Sequence, residues 1–348
     1  MRILHLYRPQ LPSLRAQAIQ VVHTCHALAI RGHRVTLLAN RAERPADPIT
    51  ALGLAPTPTL TIRQSRFRNR GLAGVWFRTQ LSRWWLGAPG VVLARDKKRL
   101  WDALQWLPPK RHRLVLETHE LDSALAKERG DDPTPTRTLE RRLLPRLSAL
   151  VANCGGTLQS WRDAHGDALP RTQQIAHNAI SPDRSRPSEH QADGVIRVVG
   201  SMKAYKNFPR LTEMAAALPL PIEWIGGDAF EADGIVGRPP VPYPDVPDLL
   251  ARSDALLLPL SDNLFGRRLT SPLKLWDYLG TTRPIIAPDL PSVREIQAIT
   301  GATMHFYAPD NADSLARAAV DALRAPPRVP FVRTWDTRAE ELEATFAD

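Results

Sequence analysis

Short apolar runs alternate with longer segments in which apolar residues recur at helical spacing. RILHLY (2–7) is an apolar run that ends near Pro9. AQAIQVVHTCHALAIRGH follows, with Ile19, Val22, Cys25, Ala29 and Ile30 at roughly helical spacing, and Gly32 closes that helix. RVTLLAN is the next run. Strand, helix and strand within about forty residues make a βαβ unit, which implies a parallel sheet with right-handed crossovers. Further strands are expected at 91–95, 113–119 and 149–154, with a helix at 139–148.

Residues 178–194, NAISPDRSRPSEHQADG, are polar and rich in turn formers, and read as a linker. The alternation then restarts. Strands are expected at 195–200, 221–227, 255–260, 283–288 and 302–307. Helices are expected at 208–218, 271–280, 291–300, 312–325 and 337–346. The pattern predicts an α/β protein of two doubly wound, Rossmann-like domains facing a central cleft. The first takes residues 1–180 plus a closing helix at about 333–348, and the second takes 181–332.

Composition narrows the class. At 348 residues and 43% hydrophobic content the chain can build two ordinary cores. No apolar run reaches the ~18 residues of a membrane span, and the N-terminus reads as a strand rather than a signal peptide. Cys25 and Cys154 sit in apolar contexts without metal-ligand spacing, so a disulfide framework is not expected and a cytoplasmic location is the default. The net charge of +10 raises the question of an anionic partner. Arginine is spread throughout and no nucleic-acid-binding signature occurs, so nucleic acid is not expected.

Candidate chemistry concentrates in the second half. VVGSMKAYKN ends a strand at Gly200 and then carries Ser201, Lys203 and Lys206 ahead of a helix. Two ammonium groups there can bind phosphate without a metal, or can be ordinary solvated lysines. In SPLKLWDYLG, Ser271 is a good N-cap and Pro272 suits the first helical position. Lys274 then falls in the first turn, where the helix dipole disfavours a cation, with Asp277 three residues on. An anion between them resolves the conflict.

These stretches resemble glycosyltransferase family four. GSMKAYKN is similar to that family's donor-phosphate loop, and SPLKLWDYLGTTRPIIAPDLPSVREI to its later signature. AQAIQVVHTCHALAIRGHRVTLLA resembles its first helix and second strand, and RTWDTRAEELEATF its closing helix. The resemblance implies a GT-B fold and retaining, metal-independent hexosyl transfer from a nucleotide-diphosphate sugar, most simply of UDP or GDP. The acceptor it leaves open is glycan or lipid-linked, as in cell-envelope polysaccharide synthesis.

By the same resemblance Gly200 and Lys206 hold the diphosphate, Pro272, Leu273 and Lys274 contact phosphate and sugar, and Asp277 accepts the ribose hydroxyls. The family's other acid falls at Leu269, and its usual arginine at Ser201; Lys203, Arg267 or Arg268 can replace that cation. Glu295 is the acid in the loop that ends the signature. His119, at a strand end, matches a histidine near sugar and acceptor, with Glu117 or Glu120 orienting its ring. Arg15 lies over the expected cleft. Val241–Tyr243 can present backbone groups to a base, and Tyr243 either stacks on it or packs on Pro242 and Pro244.

The segment 71–99 poses a separate question. Phe77, Leu81, Trp84 and Trp85 form an apolar face among basic residues. It is either a core helix or a peripheral contact with the inner membrane face. Three other readings stay open: a non-catalytic sugar-nucleotide-binding subunit, an epimerase, and a phosphorylase, for which the chain is short. A nicotinamide dehydrogenase is disfavoured because no G-x-G-x-x-G follows the first strand.

Overall fold

Strands buried on both faces need apolar side chains at every position, and VVLA (91–94) and ALVA (149–152) are wholly buried. They belong to a parallel sheet in the computed structural model, which describes residues 1–7, 10–42, 46–67, 70–108, 111–185, 191–202 and 208–347. The chain divides into two units. One comprises Met1–Asn153, Thr157–His177 and Trp335–Asp348; the other comprises Cys154–Gly156 and Asn178–Thr334.

The first unit holds β1 (Arg2–Leu6), β2 (Gln10–Leu11), β3 (Arg34–Arg41), β4 (Leu60–Ser65), β5 (Val91–Ala94), β6 (Arg113–Thr118), β7 (Ala149–Ala152) and β8 (Thr172–Ile175). Their order is β2-β3-β1-β5-β6-β7-β8, with β4 also on β3. All pairings are parallel. Its helices are α1 (Ala16–Ile30), α2 (Arg70–Trp85), α3 (Lys97–Trp106), α4 (Asp122–Glu128), α5 (Thr134–Leu143) and most of α6 (Gly155–His165).

The apolar face of α2 goes inward. Phe77, Leu81, Trp84 and Trp85 join Leu4, Leu6 and Val92 in the core. Those tryptophans are therefore unavailable to a bilayer, while Leu72 and Val75 on the same helix stay exposed. No helix among the described residues is long and apolar enough to cross a membrane.

The second unit holds α7 (Phe208–Ala215), α8 (Val246–Ala251), α9 (Leu264–Arg268), α10 (Leu273–Leu279), α11 (Pro291–Thr300) and α12 (Ala312–Arg324). Its strands are β9 (Ile196–Val199), β10 (Ile222–Ile225), β11 (Phe230–Ala232), β12 (Ile235–Arg238), β13 (Ala255–Leu257), β14 (Ile285–Pro288) and β15 (His305–Tyr307). They run in the order β11-β12-β10-β9-β13-β14-β15, parallel except for the β11–β12 hairpin. The last helix, α13 (Trp335–Glu343), returns to the first unit, where Trp335 stacks on His23 of α1 with ring centroids 5.0 Å apart.

Two expectations change here. The stretch read as a linker is structured at its start: Ile180 N–H donates to Arg333 O at 2.8 Å, and Asn178 Nδ2 donates to Ser271 O at 2.5 Å. Second, α10 begins at Leu273, with Pro272 as an extended N-cap and no side-chain cap. Ser271 cannot cap because its hydroxyl already accepts from Trp276 Nε1 at 3.0 Å and from Asn178 N–H at 3.3 Å.

Candidate functional site

In the first unit, β6 carries Glu117 into the interior and ends just before His119. One carboxylate oxygen, Glu117 Oε1, accepts three hydrogen bonds: from Arg338 Nη2 (2.6 Å), His119 Nε2 (2.6 Å) and Gln20 Nε2 (2.8 Å). Arg338, on α13, is fully buried. It also donates to the carbonyls of Ala176 and His177, the latter at 2.9 Å, and to Thr24 Oγ1 at 3.3 Å. Gln20 in turn accepts from Arg95. His5 of β1 lies within the same buried group, its Nε2 4.0 Å from Glu117 Oε2.

The charges in this group settle each other. Burial alone would push Glu117 up, but Arg338, the His119 hydrogen bond and Arg95 hold it well below the usual carboxylate range. Burial, with Arg95, lowers His119 to about 4 against the pull of Glu117. Burial likewise lowers His5 to about 4. At neutral pH His119 is therefore a neutral imidazole. A carboxylate only accepts, so Nε2 carries the hydrogen and Nδ1 is the acceptor. Of the two acids beside His119, Glu117 orients the ring; Glu120 is only half-buried, and its carbonyl accepts from Thr118 Oγ1 at 2.7 Å. Arg15, the N-cap residue of α1, is exposed and makes no side-chain cap.

In the second unit, β9 ends just before Gly200, whose φ of 121° is open to glycine but strained for other residues. Its N–H donates to Ile225 O at 2.7 Å, and its carbonyl accepts from Trp224 Nε1 at 2.6 Å. Ser201 is exposed, and Lys203 and Lys206 lie outside the described residues. On α10 the Lys274 ammonium is buried, 5.9 Å from the centroid of the Trp224 ring.

Asp277 is engaged in a way the sequence did not predict. Its Oδ1 lies 3.0 Å from both Nε and Nη2 of Arg184. Burial raises the Asp277 pKa, and Arg184 opposes that rise. The same guanidinium donates from Nη1 to Tyr243 O at 2.8 Å and covers the Tyr243 ring at 3.7 Å from its centroid. Tyr243 is thus a buried platform for Arg184, and this face of its ring is not open to a base.

The remaining predicted residues are spoken for. Arg267 forms an exposed ion pair with Asp262, Nη2 to Oδ2 at 2.7 Å. Arg268 is exposed, and its carbonyl accepts from Cys154 Sγ at 3.2 Å. Glu295 sits within α11 rather than in a loop, and its Oε1 caps the Gly155 N–H at the start of α6 at 2.6 Å. Leu269 is fully buried core. Pro272 and Leu273 bracket the start of α10. Sequence reasoning missed Arg184, Arg338, Arg95, Gln20 and His5. Only Gln20 left a signal: it precedes Thr24 by one helical turn, among the apolar residues Ile19, Val21 and Val22 of α1.

Two parallel-sheet α/β units of this connectivity define a GT-B fold. Solved structures match 99% of the chain. Sucrose-phosphate synthase from Thermosynechococcus elongatus has a TM-score of 0.70 at 13% identity, with 95% of its own chain covered. HepE from Anabaena, in complex with UDP and glucose, has 0.65 at 15% identity and 94% coverage. UDP-GlcNAc 2-epimerase from Methanocaldococcus jannaschii has 0.57 at 10% identity and 99% coverage. A search of curated protein sequences returned no match. Residues 17–184, just under half of the chain, match the family model Glycosyltransferase Family 4.

Proposed function

We propose that the protein transfers a hexosyl group from a nucleotide-diphosphate sugar to a glycan or lipid-linked acceptor, with retention at the anomeric carbon and without a metal. The bond from the anomeric carbon to the diphosphate oxygen breaks. The acceptor hydroxyl bonds to the same face of that carbon, and its proton passes to the departing phosphate oxygen. Lys206 and Lys274 balance the charge growing on that phosphate. Asp277 takes the ribose, and neutral His119, through Nδ1, accepts a hydroxyl of the sugar or acceptor.

The observation that carries this reading is the buried pair of Arg184 with Asp277 of α10, whose carboxylate lies one turn from Lys274. A carboxylate fixed by a guanidinium beside a buried cation suits a phosphate joined to a polyol. The solved complex of HepE with UDP and glucose supports the same ligand class. The epimerase neighbour keeps a second reading in view, and the family model at 17–184 favours transfer. The reading carries a cytoplasmic location at the inner membrane face, for which the exposed Leu72 and Val75 of α2 speak.

Asp277→Ala would strand the buried Arg184 guanidinium, so the cleaner probe is Lys206→Ala. It should abolish transfer in a protein that still melts cooperatively. Near-full rates in Lys206→Ala would overturn the assignment.

A further inference from the structure

The positive charge of the first unit is not spread evenly. A groove of about 390 Å³ lies where β1, β3 and β4 begin and α2 ends. Among the described residues four arginines line it, Arg2, Arg34, Arg63 and Arg83, and no carboxylate does. Among the described residues none of the four forms an ion pair with an acid. Like charges drawn to one concavity repel each other, and an anion between them removes that cost.

Two of the guanidiniums are held in place. Arg2 donates to Trp84 O at 3.0 Å and to Ala88 O, with its Cζ 4.8 Å from the Trp84 ring centroid. Gly87 makes room for it: a Cβ there would lie 2.7 Å from Arg2 Nη2. Arg63 Nη1 donates to Gln80 Oε1 at 2.7 Å. Arg34 and Arg83 are exposed at the rim. The floor is a cross-strand patch in register, Thr36 beside Thr61 and Leu38 beside Arg63.

The groove is distinct from the Glu117–His119 network. Arg2 and Arg34 open their strands, whereas His119 follows the end of β6. At ~3.3 Å per residue, a five-residue strand separates the two ends of the sheet by roughly 17 Å.

We propose that this groove is a second ligand site, which binds the phosphoryl groups of a phosphorylated small molecule or of an anionic lipid headgroup. Arginine forks match phosphate oxygens two at a time, and the volume lies within the roughly 300–1,000 Å³ of small-ligand sites. Arg2 and Arg63 supply the fixed cations, and Arg34 and Arg83 close on the ligand from the rim.

The test uses the full chain with inorganic pyrophosphate by isothermal titration calorimetry, and with phosphatidylglycerol vesicles by co-sedimentation. Arg34→Gln/Arg83→Gln should weaken pyrophosphate or vesicle binding at least tenfold. The charge-matched control Arg129→Gln/Arg210→Gln, at exposed positions elsewhere, should leave it unchanged. Pyrophosphate bound at the donor site would survive the groove substitutions, so only the binding they remove counts. Loss in the calorimeter with vesicles indifferent assigns a free phosphorylated ligand. Loss of sedimentation that pyrophosphate reproduces by competition assigns a headgroup. Unchanged binding in both assays, or equal loss in the control pair, would overturn the proposal.

Discussion

Arg338→Met tests the buried network under His119. Arg338 and Glu117 are both inaccessible to solvent, and the guanidinium lies 2.6 Å from the carboxylate. Removing one partner of such a pair leaves an uncompensated buried charge and costs about 3–5 kcal/mol. For a unit of this size that is a fall of about 6–20 °C in melting temperature. Arg338 also satisfies the carbonyls of Ala176 and His177, which a thioether cannot. Adding Glu117→Gln should therefore recover roughly half of the loss rather than all of it. Differential scanning calorimetry reads the shift. Hydrogen exchange on β6 peptides assigns it to the first unit, because the two units need not melt together. A single-variant shift below about 2 °C, or a double variant no more stable than Arg338→Met, would refute the assignment of Arg338 as the counter-charge.

Other consequences follow from the same geometry. His5 and His119 titrate near 4 in the fold against 6.5 when unfolded, so between those values the unfolded chain binds protons that the native chain does not. Stability is then full above about pH 6.5 and falls as pH drops towards 4; for fully buried His5 the loss is on the order of 3 kcal/mol, measurable by urea titration at pH 7.5 and 4.5. A flat profile would show that neither imidazole is held neutral. Arg184→Met should cost about 3–5 kcal/mol by leaving Asp277 buried without its partner, read as a drop in the urea midpoint of the second unit. Gly200→Ala must adopt a φ of 121°, and about 1–3 kcal/mol of destabilisation is expected on thermal melting.

The parts of the fold legible in the sequence were those with a single role. VVLA (91–94) and ALVA (149–152) are apolar at every position because helices or loops cover both faces of a parallel sheet. β8, TQQI, is half-buried along its whole length and β4 alternates, since each lies at a sheet edge; neither reads as an apolar run. The β11–β12 hairpin, FEADGIVGR, hides in a polar stretch for the same reason. At the site, His119 was visible because it follows a strand end. Its supporting groups were not. Glu117 meets Arg338 across 221 residues and Asp277 meets Arg184 across 93, so no local spacing announces either pair. Arg184 even lies in a segment whose turn formers read as a linker. The helix start at 271–273 was misplaced because tertiary bonds claim the Ser271 hydroxyl that local rules assign to capping.

The central claim is that the second unit holds a nucleotide-diphosphate sugar for transfer. Its most direct test needs no acceptor. The purified chain is melted with UDP, GDP and ADP, and the sugar donors of whichever nucleotide binds are then incubated with it and followed by anomeric proton NMR. One nucleotide should raise the melting temperature. Its donor should release nucleotide diphosphate and free sugar that appears first as the donor's own anomer, and Lys206→Ala should do neither. No stabilisation by any nucleotide, or release of the opposite anomer, would contradict the account.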